Sequence, residues 1–261
     1  MNSVVPCVLS SGFVSTSAER NRYWINQANR EITVLSATPN AKSPRYERWS
    51  RDMLQRWTQH ELGDARWDHL VDLGCGFGDF TTAFAQHAAK VTACDLAPPF
   101  VAETARRLAG HPDASVHVSD IVSFDAYHDV TVAYLGSVLM YLNAADIHTV
   151  LARLRSRCAP DAVVAQRDWC VLGLGREKVL EVDERYSEHR KPSTYVRMFE
   201  AAGFRLRKYR ASPLIYGTQM TRDALRAPWL VTGLGWLPQF AWRLGTVHWT
   251  ACSTTFVYEL R

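Results

Sequence analysis

The stretch 71–81 constrains the fold of this chain more than any other. It predicts the end of a buried strand, a loop containing Gly74, Gly76 and Gly78, and the start of a helix. Glycine tolerates positive φ, and without a Cβ atom it lets a ligand lie against the backbone amides. Asp72 stands just before the turn, where a carboxylate can reach an amine held over the loop. The loop alone also fits a tight strand-to-helix turn that binds nothing.

Two further acidic positions favour a ligand derived from a nucleotide. One apolar run ends in Asp95 and Leu96, and the next is followed by Asp120 and Ile121. In an α/β nucleotide site, an acid at the tip of the second strand holds the ribose diol. An acid after the third strand can take an adenine amino group, while the apolar residue beside it covers the ring face. Together with Asp72, these positions predict a binding site at one edge of a parallel sheet.

At these motifs the chain resembles the class I S-adenosylmethionine-dependent methyltransferases. The loop 72–78 is similar to the first motif of that family, Asp95 to its ribose acid, and Asp120 with Ile121 to its adenine contact. The resemblance implies S-adenosyl-L-methionine as cofactor and S-adenosyl-L-homocysteine as product.

The resemblance continues past the third strand. Segments 128–142 and 158–168 are similar to the fourth and fifth strands of the family with their loops. It implies that Leu135 and Gly136 pass close to the methyl-bearing sulfur, where glycine removes bulk. The similarity covers about residues 65–210 and leaves both ends unmatched.

A nicotinamide dinucleotide is the rival cofactor. Its fingerprint Gly-x-Gly-x-x-Gly uses the third glycine to pack helix against strand. Gly78 comes one residue too early for that role, and Asp79 fills the required place. A carboxylate there would also repel a pyrophosphate, so the pattern favours the methyl donor.

The patterns around these motifs predict an α/β fold. It is a doubly wound, mainly parallel seven-stranded sheet with an antiparallel last strand, an N-terminal helical arm and an insertion before that strand. Strands are expected near 69–73, 91–95, 115–118, 129–135, 162–167, 204–210 and 249–260. Helices are expected near 80–89, 98–109, 144–157 and 193–202, the last with Ser193 as N-cap and Gly203 as its stop.

Two segments have no place in the minimal fold. The arm 1–42 precedes the methyltransferase domain 43–261 and predicts a lid over the cofactor, formed by Tyr23 and Trp24 together with Tyr46 just after the arm. A sulfonium cation favours such aromatic faces. Packing against the sheet is the alternative role for these side chains.

The second segment is the tryptophan-rich insertion 213–248, which carries Trp229, Trp236 and Trp242 and little charge. We expect it to form a substrate-binding cap or a homodimer interface, since large apolar surface usually marks a contact. Core packing and attachment to a membrane surface are the alternatives.

Composition gives no support for several classes of partner. With 261 residues and 47% hydrophobic content, the chain can bury one α/β core with a cap. The net charge of +4 is mild and the basic residues are scattered, so no nucleic-acid patch is evident. No apolar stretch reaches the ~18 residues of a membrane span. The six cysteines are dispersed without metal-ligand spacing, which predicts a reducing cytoplasm.

Three residues are candidates for catalysis. Tyr141 could orient an acceptor through its hydroxyl, or simply pack at a helix start. Asp168 could hold an ammonium or accept a proton, or else cap a turn or pair with Arg167. His189 could act as a base, or be a solvated loop histidine. No cluster of metal ligands stands out in the sequence, so we expect metal-independent transfer.

These features predict a cytoplasmic enzyme that methylates oxygen or nitrogen of a small-molecule acceptor. Methylation of a protein or peptide terminus, using the basic loop around Arg190 and Lys191, is a second hypothesis. A third is a catalytically silent module that binds the cofactor and holds a partner through the tryptophan-rich insertion.

Overall fold

The structure, a computed structural model, describes residues 7–9, 17–29, 44–63, 65–171, 176–182, 185–211 and 251–260. The tryptophan-rich insertion lies outside the described residues, and so do the interpretations attached to it. The side chain of Tyr46 is also outside them, although its backbone belongs to a helix.

The elements alternate as the sequence predicts. The helices are α1 (Ser17–Ala28), α2 (Pro44–Leu62), α3 (Asp79–Ala85), α4 (Pro98–Arg107), α5 (Ala144–Arg157) and α6 (Pro192–Ala201), with a 3-10 turn at Leu139–Tyr141. The strands are β1 (Cys7–Leu9), β2 (Trp67–Leu73), β3 (Ala88–Asp95), β4 (Ala114–Val118), β5 (Val130–Gly136), β6 (Cys158–Val171), β7 (Lys178–Val182), β8 (Arg185–His189), β9 (Phe204–Ala211) and β10 (Ala251–Leu260).

The main sheet has seven strands in the order β4-β3-β2-β5-β6-β10-β9. Strands β4, β3, β2, β5 and β6 are mutually parallel, whereas β10 is antiparallel to both of its neighbours. This confirms the predicted fold class. The strand order reverses at β2, with β3 on one side and β5 on the other. Open α/β sheets bind ligands at such a switch point, outside the carboxyl ends of the strands.

Helices cover both faces of the main sheet, because each face carries an apolar set of side chains. On one face Leu151 of α5 and Phe199 of α6 pack in the same core as Leu135 of β5. On the other face Leu54 of α2 and Phe84 of α3 belong to a second core. No helix in the described ranges is long and apolar enough to cross a membrane.

Two strand boundaries differ from the predicted ones. Helix α3 ends at Ala85 and not near 89, and β3 begins at Ala88 because the residues from 88 onward pair with β2. Sheet pairing here overrides the helix preference of alanine. Strand β6 is longer than 162–167 because β10 pairs with it from residue 163 to residue 171.

One helix boundary also differs. Helix α6 begins at Pro192 with Lys191 in the cap position, so the prediction of Ser193 as N-cap is wrong. Proline suits the first helical position, where its missing N–H costs nothing. Gly203 follows the helix with a φ of 88°, which confirms its predicted role as the stop.

The sequence did not predict a small antiparallel sheet of β1, β7 and β8. Its strands are short, and Cys7 of the arm pairs with Glu181 far along the chain. Strand β8 runs on to Arg190, which forms a parallel bridge with Cys170 of β6. The small sheet is thereby attached near the carboxyl end of β6.

Candidate functional site

The glycine loop, residues 74–78, joins β2 to α3 at the switch point. Gly74, Gly76 and Gly78 all have positive φ, at 83°, 55° and 81°. A Cβ on Gly74 would lie 2.8 Å from Val138 Cγ2, and one on Gly78 would lie 2.8 Å from Thr104 Oγ1. A Cβ on Gly76 would meet nothing within 4 Å. The outer two glycines therefore permit close packing, whereas Gly76 borders open space.

Backbone hydrogen bonds hold the loop on the end of β3. The amides of Gly74 and Cys75 both donate to the Cys94 carbonyl at 2.9 Å. The Gly76 amide donates to Asp95 Oδ2, also at 2.9 Å. This places the predicted ribose acid directly beside the loop.

Asp72 lies beneath the loop and is almost fully buried. Its Oδ2 accepts a hydrogen bond of 2.6 Å from the Thr81 hydroxyl. Its Oδ1 is buried and has no hydrogen-bond partner. Burial raises the pKa of Asp72 to about 7, with the neighbouring Asp95 adding to the rise and the Thr81 bond opposing it. An acceptor atom without a donor, at the base of an open loop, fits an amine.

Asp95 and Leu96 follow β3 as predicted. Asp95 Oδ1 accepts from the Ala97 amide at 3.0 Å. Burial raises the pKa of Asp95, although its bonds from the Ala97 and Gly76 amides oppose the rise. A carboxylate has about four lone-pair sites, so it can accept from further donors such as hydroxyls. Leu96 is partly buried against Phe77 of the loop.

Asp120 and Ile121 follow β4. Asp120 is partly exposed, and its Oδ1 accepts from the Val122 amide at 3.0 Å. Ile121 is 6% exposed and belongs to the same core as Phe124. Asp120 therefore keeps one carboxylate oxygen for a ligand amine, while Ile121 has little surface left to cover a ring.

The end of β5 is built differently from the expectation. The side chain of Leu135 is fully buried in the core, so only its backbone can face a ligand. A Cβ on Gly136 would lie 2.7 Å from the Tyr134 hydroxyl and closer still to its ring. The absence of a side chain at Gly136 thus admits the Tyr134 ring, which explains this glycine without reference to the cofactor.

Tyr141 ends the 3-10 turn that follows β5. Its ring meets Trp24 of α1 edge to face, with centroids 5.1 Å apart and planes at 76°. Trp24 also packs on the cluster that contains Phe77 and Phe100. Helix α1 of the arm thus contacts the glycine loop and the turn together.

Asp168 has no surface open to an acceptor, contrary to one predicted role. It is fully buried, Oδ1 accepts from the Met140 amide at 3.2 Å, and Oδ2 accepts from Gln166 Nε2 at 2.8 Å. Burial raises its pKa to about 7, against the effect of both bonds. The geometry matches the alternative of a capping carboxylate. Arg167 instead donates to the Tyr134 hydroxyl at 3.2 Å.

His189 and Arg190 are buried, whereas the sequence suggested a solvated basic loop. His189 is 8% exposed, with Nε2 3.4 Å from the Ser187 hydroxyl. Arg190 is 1% exposed and donates to the carbonyls of Leu139 and Leu142. The burial of Arg190 does not fit the hypothesis of a basic loop around Arg190 and Lys191, because β8 leads Arg190 into the core beside β6.

Sequence reasoning missed three contributions to the site. Thr81 holds Asp72, Thr104 donates to the Gly76 carbonyl at 2.9 Å, and Arg190 holds the turn. For Thr81, a hydroxyl in the first turn of α3 was a weak signal. For the other two, no local pattern marks a partner so distant along the chain.

Within the described ranges, no group of three or more His, Cys, Asp or Glu side chains could hold a metal ion. Metal-independent transfer is still a prediction, and the effect of EDTA on turnover tests it. The four cysteines whose side chains are described, Cys75, Cys94, Cys158 and Cys170, are free thiols.

Comparison with known proteins agrees with this geometry. Residues 71–164 match the family model described as a methyltransferase domain. No curated protein gives a significant sequence match.

Solved structures share the fold at low sequence identity. The Burkholderia thailandensis 1,6-didemethyltoxoflavin-N1-methyltransferase, with bound 1,6-didemethyltoxoflavin and S-adenosylhomocysteine, is 14% identical at a TM-score of 0.67, over 98% of this chain and 94% of that one. Haemonchus contortus phosphoethanolamine N-methyltransferase 1, in complex with phosphoethanolamine and S-adenosylhomocysteine, is 15% identical at 0.66, over 94% and 50%. The geranyl diphosphate C-methyltransferase of Streptomyces coelicolor is 12% identical at 0.64, over 96% and 100%.

Those three enzymes differ in the acceptors that their names state, so the shared fold does not identify an acceptor. The family match covers the strands that carry Asp72, Asp95 and Asp120, and the sheet order is that of the predicted family. An open Gly76 and an unpartnered Asp72 oxygen fit the amino-acid end of the cofactor. Residues 71–164 thus match a methyltransferase-domain model, and the chain as a whole has the fold of the class I S-adenosylmethionine-dependent methyltransferases.

Proposed function

We propose that this protein transfers a methyl group to an oxygen or nitrogen of a small-molecule acceptor, without a metal ion. One observation carries the cofactor half of the proposal: the buried, unpartnered Oδ1 of Asp72 lies beneath a loop that is open at Gly76. A buried acceptor atom without a donor is costly and calls for a partner.

The residues of the loop and the neighbouring strand ends divide the cofactor between them. Asp72 takes the amino group, and the backbone of the glycine loop lies along the amino-acid and ribose portions. Asp95 accepts from the ribose hydroxyls, with Leu96 beside it. Asp120 accepts from the adenine amino group through the oxygen that does not cap the Val122 amide.

When bound, S-adenosylmethionine supplies a methyl group on a sulfonium, which is a good leaving group. The work left to the protein is alignment of the acceptor and exclusion of water. We assign the orienting role to Tyr141, whose ring is set against Trp24. We give Asp168 no direct contact with the acceptor, because both of its oxygens are engaged inside the protein. His189 stays the candidate base if the acceptor has a proton to lose.

Helix α1 is the described part of the proposed lid. Tyr23 and Ala28 are buried, and Trp24 lies against both the glycine-loop side and Tyr141. An aromatic roof there would exclude water from the donor and favour a sulfonium cation.

A small-molecule acceptor is favoured over a protein terminus. The peptide hypothesis needed an exposed basic loop, and Arg190 is 1% exposed. Two structural neighbours are named for small acceptors, a didemethyltoxoflavin and phosphoethanolamine. The silent-module hypothesis depends on the tryptophan-rich insertion, which lies outside the described residues. The free thiols at Cys75, Cys94, Cys158 and Cys170 suit a reducing cytoplasm.

The test is turnover of methyl-labelled S-adenosylmethionine by the full chain in deproteinised cell extract, with and without EDTA. The account predicts label in the small-molecule fraction, unaffected by EDTA and reduced in Asp95→Ala at low concentrations of S-adenosylmethionine. Label that appears only when the protein fraction is supplied would favour peptide methylation. Binding of S-adenosylhomocysteine without any turnover would favour the silent module.

A further inference from the structure

The 3-10 turn after β5 is held at both ends by charged side chains. Asp168 Oδ1 accepts from the amide of Met140 inside the turn at 3.2 Å. Arg190 Nη1 donates to the Leu139 carbonyl at 3.1 Å, and Nη2 donates to the Leu142 carbonyl at 2.7 Å. A carboxylate thus satisfies an amide at the start of the turn, and a guanidinium satisfies two carbonyls that span it.

Both charged groups are buried, which makes their presence informative. Asp168 is 0% exposed and Arg190 is 1% exposed. Taking a charge out of water costs several kcal/mol unless hydrogen bonds and an opposite charge compensate it. Gln166 donates to Asp168 at 2.8 Å, and Glu188 is an ion-pair partner of Arg190. Apolar residues of similar volume often replace a buried charged pair without loss of stability, so the role of these two groups is sought in the geometry of the turn.

The two groups share one rigid frame. Asp168 belongs to β6, and Arg190 bridges to Cys170 two residues further along that strand. The Val171 amide donates to the Arg190 carbonyl at 3.0 Å. The turn is therefore positioned relative to β6 and not only relative to its own strand, β5.

The turn in its fixed position contacts both parts of the site. Tyr141 donates its amide to the Val138 carbonyl at 3.1 Å, and its ring lies against Trp24. The side chain of Val138 approaches Gly74 so closely that a Cβ there would lie 2.8 Å from it. A shift of the turn would move the Tyr141 ring relative to Trp24.

We infer that Asp168 and Arg190 are positioning residues that clamp the turn 139–141 and set the Tyr141 ring beside the acceptor. Neither touches the acceptor. The functional part of the inference rests on the proposed role of Tyr141, whereas the clamp itself does not.

The clamp makes chemical demands that distinguish conservative substitutions. A guanidinium is planar and can donate to two carbonyls and a carboxylate at once, which a lysine ammonium on a flexible stem cannot do in the same geometry. An asparagine at 168 keeps an oxygen that can accept from Met140, whereas an alanine does not.

The test compares Arg190→Lys with Arg205→Lys, a matched change at a surface arginine that pairs with Glu259. Amide hydrogen exchange is measured on the full chain with S-adenosylhomocysteine bound. In Arg190→Lys, amide exchange of residues 140–142 is expected to accelerate on the order of tenfold. The local opening of the turn that permits exchange then no longer has to break the two guanidinium hydrogen bonds to the Leu139 and Leu142 carbonyls. Peptides from β2 and β3 and the affinity for S-adenosylhomocysteine should match the parent chain, as should every peptide of Arg205→Lys.

A second series tests the carboxylate. Asp168→Ala should accelerate the same amides, and Asp168→Asn should restore much of the protection. With an acceptor in hand, Arg190→Lys should lower kcat while the KM for S-adenosylmethionine is unchanged. Unchanged exchange at 140–142 in folded Arg190→Lys would overturn the clamp, as would equal acceleration throughout the main sheet. Amide exchange tests the clamp without any turnover. A protein that shows the expected exchange but methylates no acceptor would therefore contradict the proposed function and leave the clamp standing.

Discussion

The glycine loop and the 3-10 turn lie at the same edge of the main sheet but are held in different ways. The loop is held mainly through its backbone: positive φ at its glycines, amides that donate to Cys94 and Asp95, and a Gly76 carbonyl that accepts from Thr104. The turn is held by side chains that lie 28 and 51 residues further along the chain, Asp168 and Arg190. The half proposed to bind the cofactor is thus held largely through backbone groups, and the half proposed to face the acceptor is held by two buried side chains.

Because they are held differently, the two halves differ in how far their geometry can change. A loop fixed by its own backbone binds one cofactor and tolerates little change. A turn clamped from outside can be moved by changes in β6 or β8 while the loop keeps its geometry. The two halves meet where Val138 approaches Gly74 and where Trp24 of α1 lies over both.

The largest expected effect on cofactor affinity is that of Asp95→Ala. It removes the ribose contacts and leaves the amides of Gly76 and Ala97 without their acceptor. The loss should be about 1–3 kcal/mol in the binding free energy of S-adenosylhomocysteine, measured by calorimetry. Arg190→Lys, in the other half, should leave that affinity unchanged. Equal losses in both variants would show that the two halves are not separable.

The same contrast explains what the sequence could predict. The positions of Asp72, Asp95 and the glycines at one end of the sheet could be predicted, because the pattern of adjacent βα units places them there. The seven-stranded fold followed from the alternation of patterns, and the structure confirms it.

The turn half escaped prediction because its determinants depend on tertiary contacts. Asp168 was a catalytic candidate with a capping role as the alternative, and Arg190 was part of a basic loop, since nothing local shows that burial will enclose them. The small sheet that carries Arg190 inward pairs Cys7 with Glu181, and strands this short have no distinctive pattern. Gly136 was assigned to the cofactor because its real neighbour, the Tyr134 ring, is visible only in the folded strand.

A pH titration should distinguish the two buried carboxyls of similar acidity. Burial raises the pKa of both Asp72 and Asp168 to about 7, from an ordinary value of 3.8. Each group stabilises the free protein in its neutral form, and that contribution is lost as pH rises from 3.8 through about 7. The cofactor amine needs a charged Asp72, so affinity for S-adenosylhomocysteine should rise about tenfold between about pH 6 and pH 8.

Substitution assigns that rise to one carboxyl. Asp72→Asn should abolish it, and Asp168→Asn should leave it in place. A rise that survives in Asp72→Asn would place the amine elsewhere.

The smallest expected effect comes from a pair of glycine substitutions. Gly76 and Gly63 both have positive φ, at 55° and 89°, and in both a Cβ would meet nothing within 4 Å. Each change to alanine should therefore destabilise the fold by a similar amount, about 1–2 kcal/mol, through backbone strain alone. Only the methyl group of Gly76→Ala enters the proposed cofactor space, so only that variant should also lose affinity for S-adenosylhomocysteine, by a few-fold. Loss of affinity in Gly63→Ala would mean that strain, and not contact, is responsible.

Calorimetric titration of the full chain with S-adenosylhomocysteine, and separately with NADH, tests the central claim most directly. The claim is that the open loop above Asp72 and beside Asp95 holds S-adenosylmethionine or its product. The account predicts saturable binding of S-adenosylhomocysteine at one site per chain, weakened by Asp95→Ala, and no binding of NADH. Tight binding of NADH together with no binding of S-adenosylhomocysteine would contradict it.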